Sequence, residues 1–220
     1  MSHRSHLILA SDMPDTAPAK PRKSPAQSRS RATVEAILDA AAHILLTQGI
    51  GAASTNRIAG KAGVSIGSLY QYFPNKTALI GALRRRHAES MRCTILQLAG
   101  PALTAPLPHA VRSMIHAVMQ AHRIDPELHR ILAQEAPRTD FADSRGDIDH
   151  DLRSAVGALL RARQSEILPT NPELAAAMLV RLVDALIHAA VIDNTLQATQ
   201  AEVEEEIVRV VMRYLTGQAQ

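Results

Sequence analysis

An all-α fold of about nine helices is predicted for this chain by three observations. Apolar residues recur at three- and four-residue steps along most of its 220 residues. Ala and Leu are prominent in a hydrophobic share of 46%, with few β-branched runs, which favours helices over strands. Gly, Pro and small capping residues fall between the periodic stretches, where helices stop and start.

Residues 1–31 hold Ser, Pro, Lys and Arg without apolar periodicity and read as a disordered basic arm. Lys20, Arg22, Lys23, Arg29 and Arg31 would let it follow a phosphate backbone or a minor groove, or serve only as a solubilising tail. Translation could start at Met1 or Met13. From Thr33, Val34, Ile37, Leu38, Ala41 and Leu45 mark one apolar helical face, which Gly49 closes.

A second, short helix begins near Thr55 with Ser54 or Thr55 as its cap, and buries Ile58, Ala59 and Ala62. Gly63 makes the turn, Val64 plugs the corner and Ser65 caps a third helix running from Ile66 to about Tyr72, anchored by Leu69. Pro74 ends that helix, and Asn75 caps a long fourth one.

Pro101, Pro106 and Pro108 mark a loop, followed by a helical face of Val111, Ile115, Val118 and Met119. Pro126 opens another helix, with Leu128, Ile131 and Leu132 on its inner side. Residues 137–149 read as a polar loop, and a helix follows from about Asp149 to Ile167. The last two helices span roughly 172–196 and 202–215; acidic residues from Glu202 to Glu206 suit the positive end of the final one.

Composition bounds the function classes. No stretch approaches the roughly 18 uninterrupted apolar residues of a membrane span, and Leu7–Ala10 is too short for a signal peptide. The single cysteine, Cys93, excludes an intrachain disulfide and fits a reducing cytoplasm, where it reads as a packing residue. The net charge of +3 is unevenly spread. Residues 1–92 carry 13 Lys and Arg against 5 Asp and Glu, a net of +8; residues 93–220 carry 11 against 16, a net of −5. A basic N-terminal part beside an acidic remainder suits a nucleic-acid module joined to a module with another task, or simply a solvated basic surface.

Residues 54–76 carry the chemistry. Three of the five aromatic residues, Tyr70, Tyr72 and Phe73, close the short third helix. With the Gly63 turn this is a helix-turn-helix, backed by the helix at 33–48, whose second helix would enter a major groove about 12 Å wide. Ile66 offers apolar contact, Gly67 permits close approach and Ser68 can donate or accept. Tyr70 and Tyr72 present hydroxyls at phosphate length, and Lys76 can meet a phosphate at a helix N-terminus. Thr55, Asn56 and Arg57 begin the helix that crosses the backbone. The same shape occurs inside helical enzymes and interaction domains; the aromatic pair, the lysine and the basic charge argue for DNA.

The run Thr55-x-x-Ile58-Ala59-x-x-Ala62-Gly63-Val64-Ser65-x-Gly67-Ser68-Leu69-Tyr70-x-Tyr72-Phe73-x-Asn75-Lys76-x-x-Leu79 resembles the DNA-binding signature of the tetracycline-repressor family of bacterial regulators. The resemblance covers residues 32–80. It implies base contacts from Thr55, Asn56, Ile66, Gly67, Ser68 and Tyr70, and phosphate contacts from Tyr72 and Lys76. It also implies that residues 81–220 form a ligand-binding and dimerisation domain, paired with a second copy through the helices at about 172–196 and 202–215. The small residues Ala175, Ala176, Ala177, Ala185, Ala189 and Ala190 would permit close helix packing there. A two-fold dimer sets two recognition helices roughly 34–36 Å apart and so expects a palindromic operator in double-stranded DNA.

A pocket for an unknown small-molecule effector is expected between the helix after Asn75 and those at 109–168. Its candidate lining is Met91, Met114, His116, Met119, His122, Arg123, Glu135, Phe141 and Met178. Scarce aromatics point to an aliphatic or modestly polar ligand. No phosphate loop, His-Glu-x-x-His spacing or nucleophile elbow is present, so no enzyme, cofactor or metal site is expected. The histidines are dispersed, with His116 and His122 six apart; metal sensing through histidines and Cys93 is the minor alternative. The expected function is a ligand-responsive repressor. An activator, a non-specific DNA-binding protein and a helical protein that binds no DNA are the rivals.

Overall fold

The computed structural model describes residues 25–102, 104–134 and 140–217, with side chains over 28–101, 104–134 and 150–217. Nine α-helices and no strand occur among the described residues: α1 Pro25–Gln48, α2 Thr55–Ala62, α3 Ile66–Tyr72, α4 Lys76–Ala99, α5 Leu107–His122, α6 Pro126–Gln134, α7 Asp140–Ala162, α8 Pro172–Ile187 and α9 Gln200–Thr216. A π-helical turn, His188–Ile192, prolongs α8.

The expected caps form. The side chains of Ser54, Ser65, Asn75 and Asn171 accept from the backbone N–H groups of Arg57, Ser68, Ala78 and Leu174. Each such cap satisfies a donor that the first helical turn would otherwise leave unpaired. Gly63, with φ of 68°, takes the left-handed conformation that the turn between α2 and α3 requires. Thr199 and Glu202 make a reciprocal capping box on α9.

Two helix starts differ from expectation. α1 begins at Pro25, so residues 25–31 of the expected basic arm are helical, while residues 1–24 lie outside the described residues. Pro25 is tolerated in a first helical turn, and Thr33 Oγ1 donates to the Arg29 carbonyl within the helix. Its lack of an apolar stripe hid this segment, in which Ser28, Arg29 and Arg31 are exposed. α7 begins at Asp140, inside the expected loop at 137–149. Phe141, Ile148, Leu152 and Val156 keep a helical spacing through polar sequence, and that spacing outweighs the Asp and Gly content.

The buried residues form two clusters. One gathers Ile37, Leu38, Ala41, Ile44 and Leu45 of α1, Ile58 and Ala59 of α2, Leu69 of α3, Phe73, and Leu79, Ile80 and Leu83 of α4. It also takes in Leu128 and Leu132 of α6, far along the chain. The other runs from Met91 and Ile95 of α4 through α5, α7, α8 and α9. Thus α4 serves both clusters in turn, and α6 brings leucines from the C-terminal half into the N-terminal core. Arg86 of α4 adds ion pairs to Glu35 and Asp39 of α1 at 3.0 and 2.7 Å.

Residues 172–192 are long and apolar enough to cross a membrane by length and composition, with a mean hydropathy of 1.9. The apolar count is interrupted by Arg181 and Asp184, and Ala175, Ala176, Leu179, Val180 and Ile187 are buried within the C-terminal cluster.

Candidate nucleic-acid interface and ligand cavity

The helix-turn-helix residues assemble on one end of the N-terminal unit. Leu69 is fully buried and fixes α3, leaving Ile66, Gly67 and Tyr70 exposed; Tyr70 is 49% exposed. Asn56 and Arg57 are exposed at the start of α2, with Thr55 and Ser68 half-buried. The Tyr70 hydroxyl lies 3.2 Å from Thr55 Oγ1, so the two helices present a joined hydroxyl pair. Ser65 Oγ stands 2.8 Å from Ser68 Oγ while capping α3. Arg57 reaches back to Gln48 Oε1 at 3.1 Å.

Two side chains sit otherwise than the sequence suggests. Tyr72 is half-buried and packs against the N-terminal core rather than standing free. The Lys76 ammonium donates to the Ile50 carbonyl at 2.8 Å, tying the 3-10 turn Ile50–Ala52 to the start of α4. An ammonium has three donors, so this bond leaves Lys76 capacity for an anion.

Gly67 is informative because nothing inside the protein requires it. Its φ lies outside the left-handed region, and the nearest atom to an added Cβ would be Ser65 Oγ at 3.9 Å. Glycine inside a helix costs about 1 kcal/mol relative to alanine. The missing Cβ leaves the backbone of α3 open on its exposed face.

A cavity of about 140 Å³ opens between α4, α5, α6, α7, α8 and α9. Most of its wall is aliphatic, including Ile95, Val111, Ile115, Val118, Leu160 and Val183. One part is polar: Arg84 and His87 of α4, His122 of α5, His129 of α6 and Asp184 of α8 all border it. Burial pushes the His87 imidazole pKa down; Asp125 opposes this, and His122 and Arg86 reinforce it.

Of the expected lining residues, Met91, Met114 and His122 border the cavity. Met119 is 1% exposed and lies within the C-terminal core instead. His116 faces outward, with Nδ1 3.1 Å from a Glu204 carboxylate oxygen, and Arg123 is exposed at the C-cap of α5. Met178 is 53% exposed on the outer face of α8. Each of these four sits a fraction of a turn off the cavity-facing line, a rotation that periodicity alone does not fix. Glu135 and the Phe141 side chain lie outside the described residues.

Sequence reading missed Arg84, His87, His129 and Asp184. It also treated the histidines as dispersed, whereas His87, His122, His129 and His188 converge with ring centroids of neighbouring pairs 4.8 to 5.2 Å apart. One signal was available: Asp184 and His188 are four apart, on one helix face.

Comparison with known proteins agrees with this geometry. Residues 37–83 match the family described as "Bacterial regulatory proteins, tetR family", and residues 106–215 match "Tetracyclin repressor-like, C-terminal domain". Among curated proteins, the nucleoid occlusion factor SlmA of Haemophilus ducreyi is 33% identical over 89 residues, which cover 40% of this chain and 43% of that protein. The uncharacterized HTH-type transcriptional regulator YvkB of Bacillus subtilis is 37% identical over 70 residues, covering 32% and 37%. The chain thus spans less than half the length of either curated relative.

Solved structures match over far more of the chain. The flavonoid-responsive regulator FrrA superposes with a TM-score of 0.64 at 27% identity, covering 85% of this chain and 98% of that one. A TetR family transcription regulator from Marinobacter aquaeolei gives 0.60 at 19% identity, covering 86% and 98%, and so shows the shared fold. With a backed helix-turn-helix at one end, a helical unit enclosing a cavity at the other, and both family descriptions matched in that order, the chain belongs to the tetracycline-repressor family of bacterial DNA-binding transcriptional regulators.

Proposed function

We propose that this protein is a homodimeric repressor that reads a palindromic operator and releases it when a small molecule enters the cavity. The observation that carries this reading is the double duty of α4 and α6. Their residues Arg84, His87, His129, Leu132 and Ala133 border the cavity, while Leu79, Ile80, Leu83, Leu128 and Leu132 belong to the core that holds α3. A ligand that repositions either helix acts on the platform of the recognition helix, and packed cores respond by discrete shifts rather than gradual deformation.

The DNA face comprises Thr55, Asn56, Arg57, Ile66, Gly67, Ser68, Tyr70, Tyr72 and Lys76. Gly67 supports close approach, and the hydroxyl pair of Thr55 and Tyr70 supports recognition near the backbone. The dimer would form through α8 and α9. Leu174, Met178 and Leu182 are exposed at four-residue steps on α8, as are Val210 and Tyr214 on α9. Two copies can cover such stripes by antiparallel helix packing. A ligand suited to the cavity has an apolar body with one polar end facing His87, His122 and Asp184. The protein would act in the cytoplasm, where operator DNA is found. A dimer seated on an operator blocks polymerase without any contact to it, which favours repression over activation.

The test is selection of bound sequences from a random duplex pool at about 150 mM salt, where phosphate-only binding is weakened. A two-fold symmetric consensus is expected. Enrichment of no sequence by a dimer that still binds DNA would overturn the sequence-specific reading in favour of non-specific association.

A further inference from the structure

We propose that His122, His129, His188 and Asp184 form a binding site for a divalent transition-metal ion of the zinc class. The ligating nitrogens of the three histidines all lie within 4.8 Å of one another. His129 Nε2 stands 3.1 Å from His188 Nε2, and Asp184 Oδ1 stands 3.4 Å from His122 Nε2 and 3.7 Å from His188 Nε2. Four ligands at zinc–nitrogen or zinc–oxygen distances in a tetrahedron are about 3.3 Å from each other. These three separations bracket that value, and the histidine nitrogens, at up to 4.8 Å apart, close in on the ion when it binds. Imidazole and carboxylate together suit zinc, nickel or copper better than calcium or magnesium.

The outer groups fit as well. His122 Nδ1 lies 2.9 Å from the Val118 carbonyl, which can only accept, so Nδ1 carries a hydrogen and, in the neutral ring, Nε2 presents its lone pair. That Nε2 is buried in a side chain only 4% exposed and makes no hydrogen bond, although it points toward a carboxylate oxygen. In that neutral ring two acceptors face each other, and a metal ion can take the place that a proton on Nε2 would otherwise fill. His129 Nδ1 meets His87 Nε2 at 3.1 Å, giving a second ligand an outer partner that fixes its ring. Metal-bound imidazoles are held in this way through their other nitrogen.

The backbone adds a further sign. His188 opens the π-helical turn that ends α8, where Asp193 N–H bonds the His188 carbonyl at 2.9 Å. π-turns are rare and are frequent at functional sites. The α-helical turn just before it places His188 on the same face as Asp184. Asp184 is the most exposed of the four side chains and gives the ion a route in.

The site joins α5, α6 and α8, so a bound ion would clip α6 to the C-terminal unit. Any effect on operator affinity rests on the proposed function; metal binding itself does not.

The test uses the full chain, with Zn²⁺ competed against a chromophoric chelator and Co²⁺ as a spectroscopic probe. One Co²⁺ per chain with the intense visible absorption of tetrahedral coordination is expected. H188Q and D184N should each weaken Zn²⁺ binding by at least the roughly tenfold that even an outer-shell change costs. H87Q should weaken it by about ten- to a hundredfold while keeping the stoichiometry and the Co²⁺ spectrum. H116Q, at the exposed Glu204 pair, should leave it unchanged. Absence of saturable binding, an octahedral Co²⁺ spectrum, or unchanged affinity in H188Q would each overturn the site. Because none of these readouts contains DNA, failure of the operator selection would not count against it.

Discussion

The Tyr70 hydroxyl and Thr55 Oγ1 lie 3.2 Å apart and join the recognition helix to the start of the helix before it. The bond is solvent-exposed, so it adds little to folding, where water can replace either partner. Its value is positional: it fixes the direction of a side chain that is otherwise 49% exposed. Tyr70→Phe should therefore leave the thermal midpoint nearly unchanged while operator affinity falls by up to about tenfold, the equivalent of a net hydrogen bond. Fluorescence anisotropy against the selected operator, beside a calorimetric scan, separates the two. A drop in the midpoint with unchanged affinity would assign the pair to folding instead.

Gly67→Ala gives the opposite signs for stability and binding. An added Cβ meets nothing closer than 3.9 Å in the free protein, and α3 gains about 1 kcal/mol from the better helix former. The midpoint should rise. Operator affinity should fall, because the methyl stands where a base edge would come close. A variant that is more stable and binds equally well would show that α3 does not lie deep in the groove.

The outer stripe of Leu174, Met178 and Leu182 on α8 predicts what breaks assembly. Leu182→Arg puts a charge onto a face that would be desolvated between two copies, at a cost of several kcal/mol when unpaired. Light scattering should show a monomer at micromolar concentration, with helical circular dichroism retained because Leu182 contributes little to the core of its own chain. Operator affinity should then fall steeply, since one recognition helix must bind without the other. A dimer that persists would move the interface elsewhere.

The N-terminal unit was legible in the sequence because its constraints are local. Ser54, Gly63, Ser65 and Asn75 each occupy positions whose backbone geometry only a few residue types satisfy, and all four act as expected. The cavity was less legible. Whether a residue faces inward depends on the rotation of a whole helix, and a single residue step, about 100° around α5, separates buried Met119 from lining Val118. Beyond the Asp184–His188 spacing, the histidine cluster was hidden for a related reason. Its members come from α4, α5, α6 and the end of α8, and only packing between distant segments brings them together. Polar sequence also masked the first turns of α1 and α7, where periodicity is weak or is carried by few apolar residues.

Leu132 offers the most direct test of coupling, because it borders the cavity and is also a member of the N-terminal core. Ile115 borders the same cavity but belongs to the C-terminal core alone. Both are 3% exposed, so truncation to alanine should destabilise either variant by about 2–5 kcal/mol and enlarge the cavity. Only Leu132→Ala should also change operator affinity without effector, since it loosens α6 against α1 and the helices that support α3. Measuring anisotropy at a temperature where both variants remain folded isolates this difference. Equal operator affinity in the two would mean that α6 does not transmit the state of the cavity, leaving α4 as the connection between the two units.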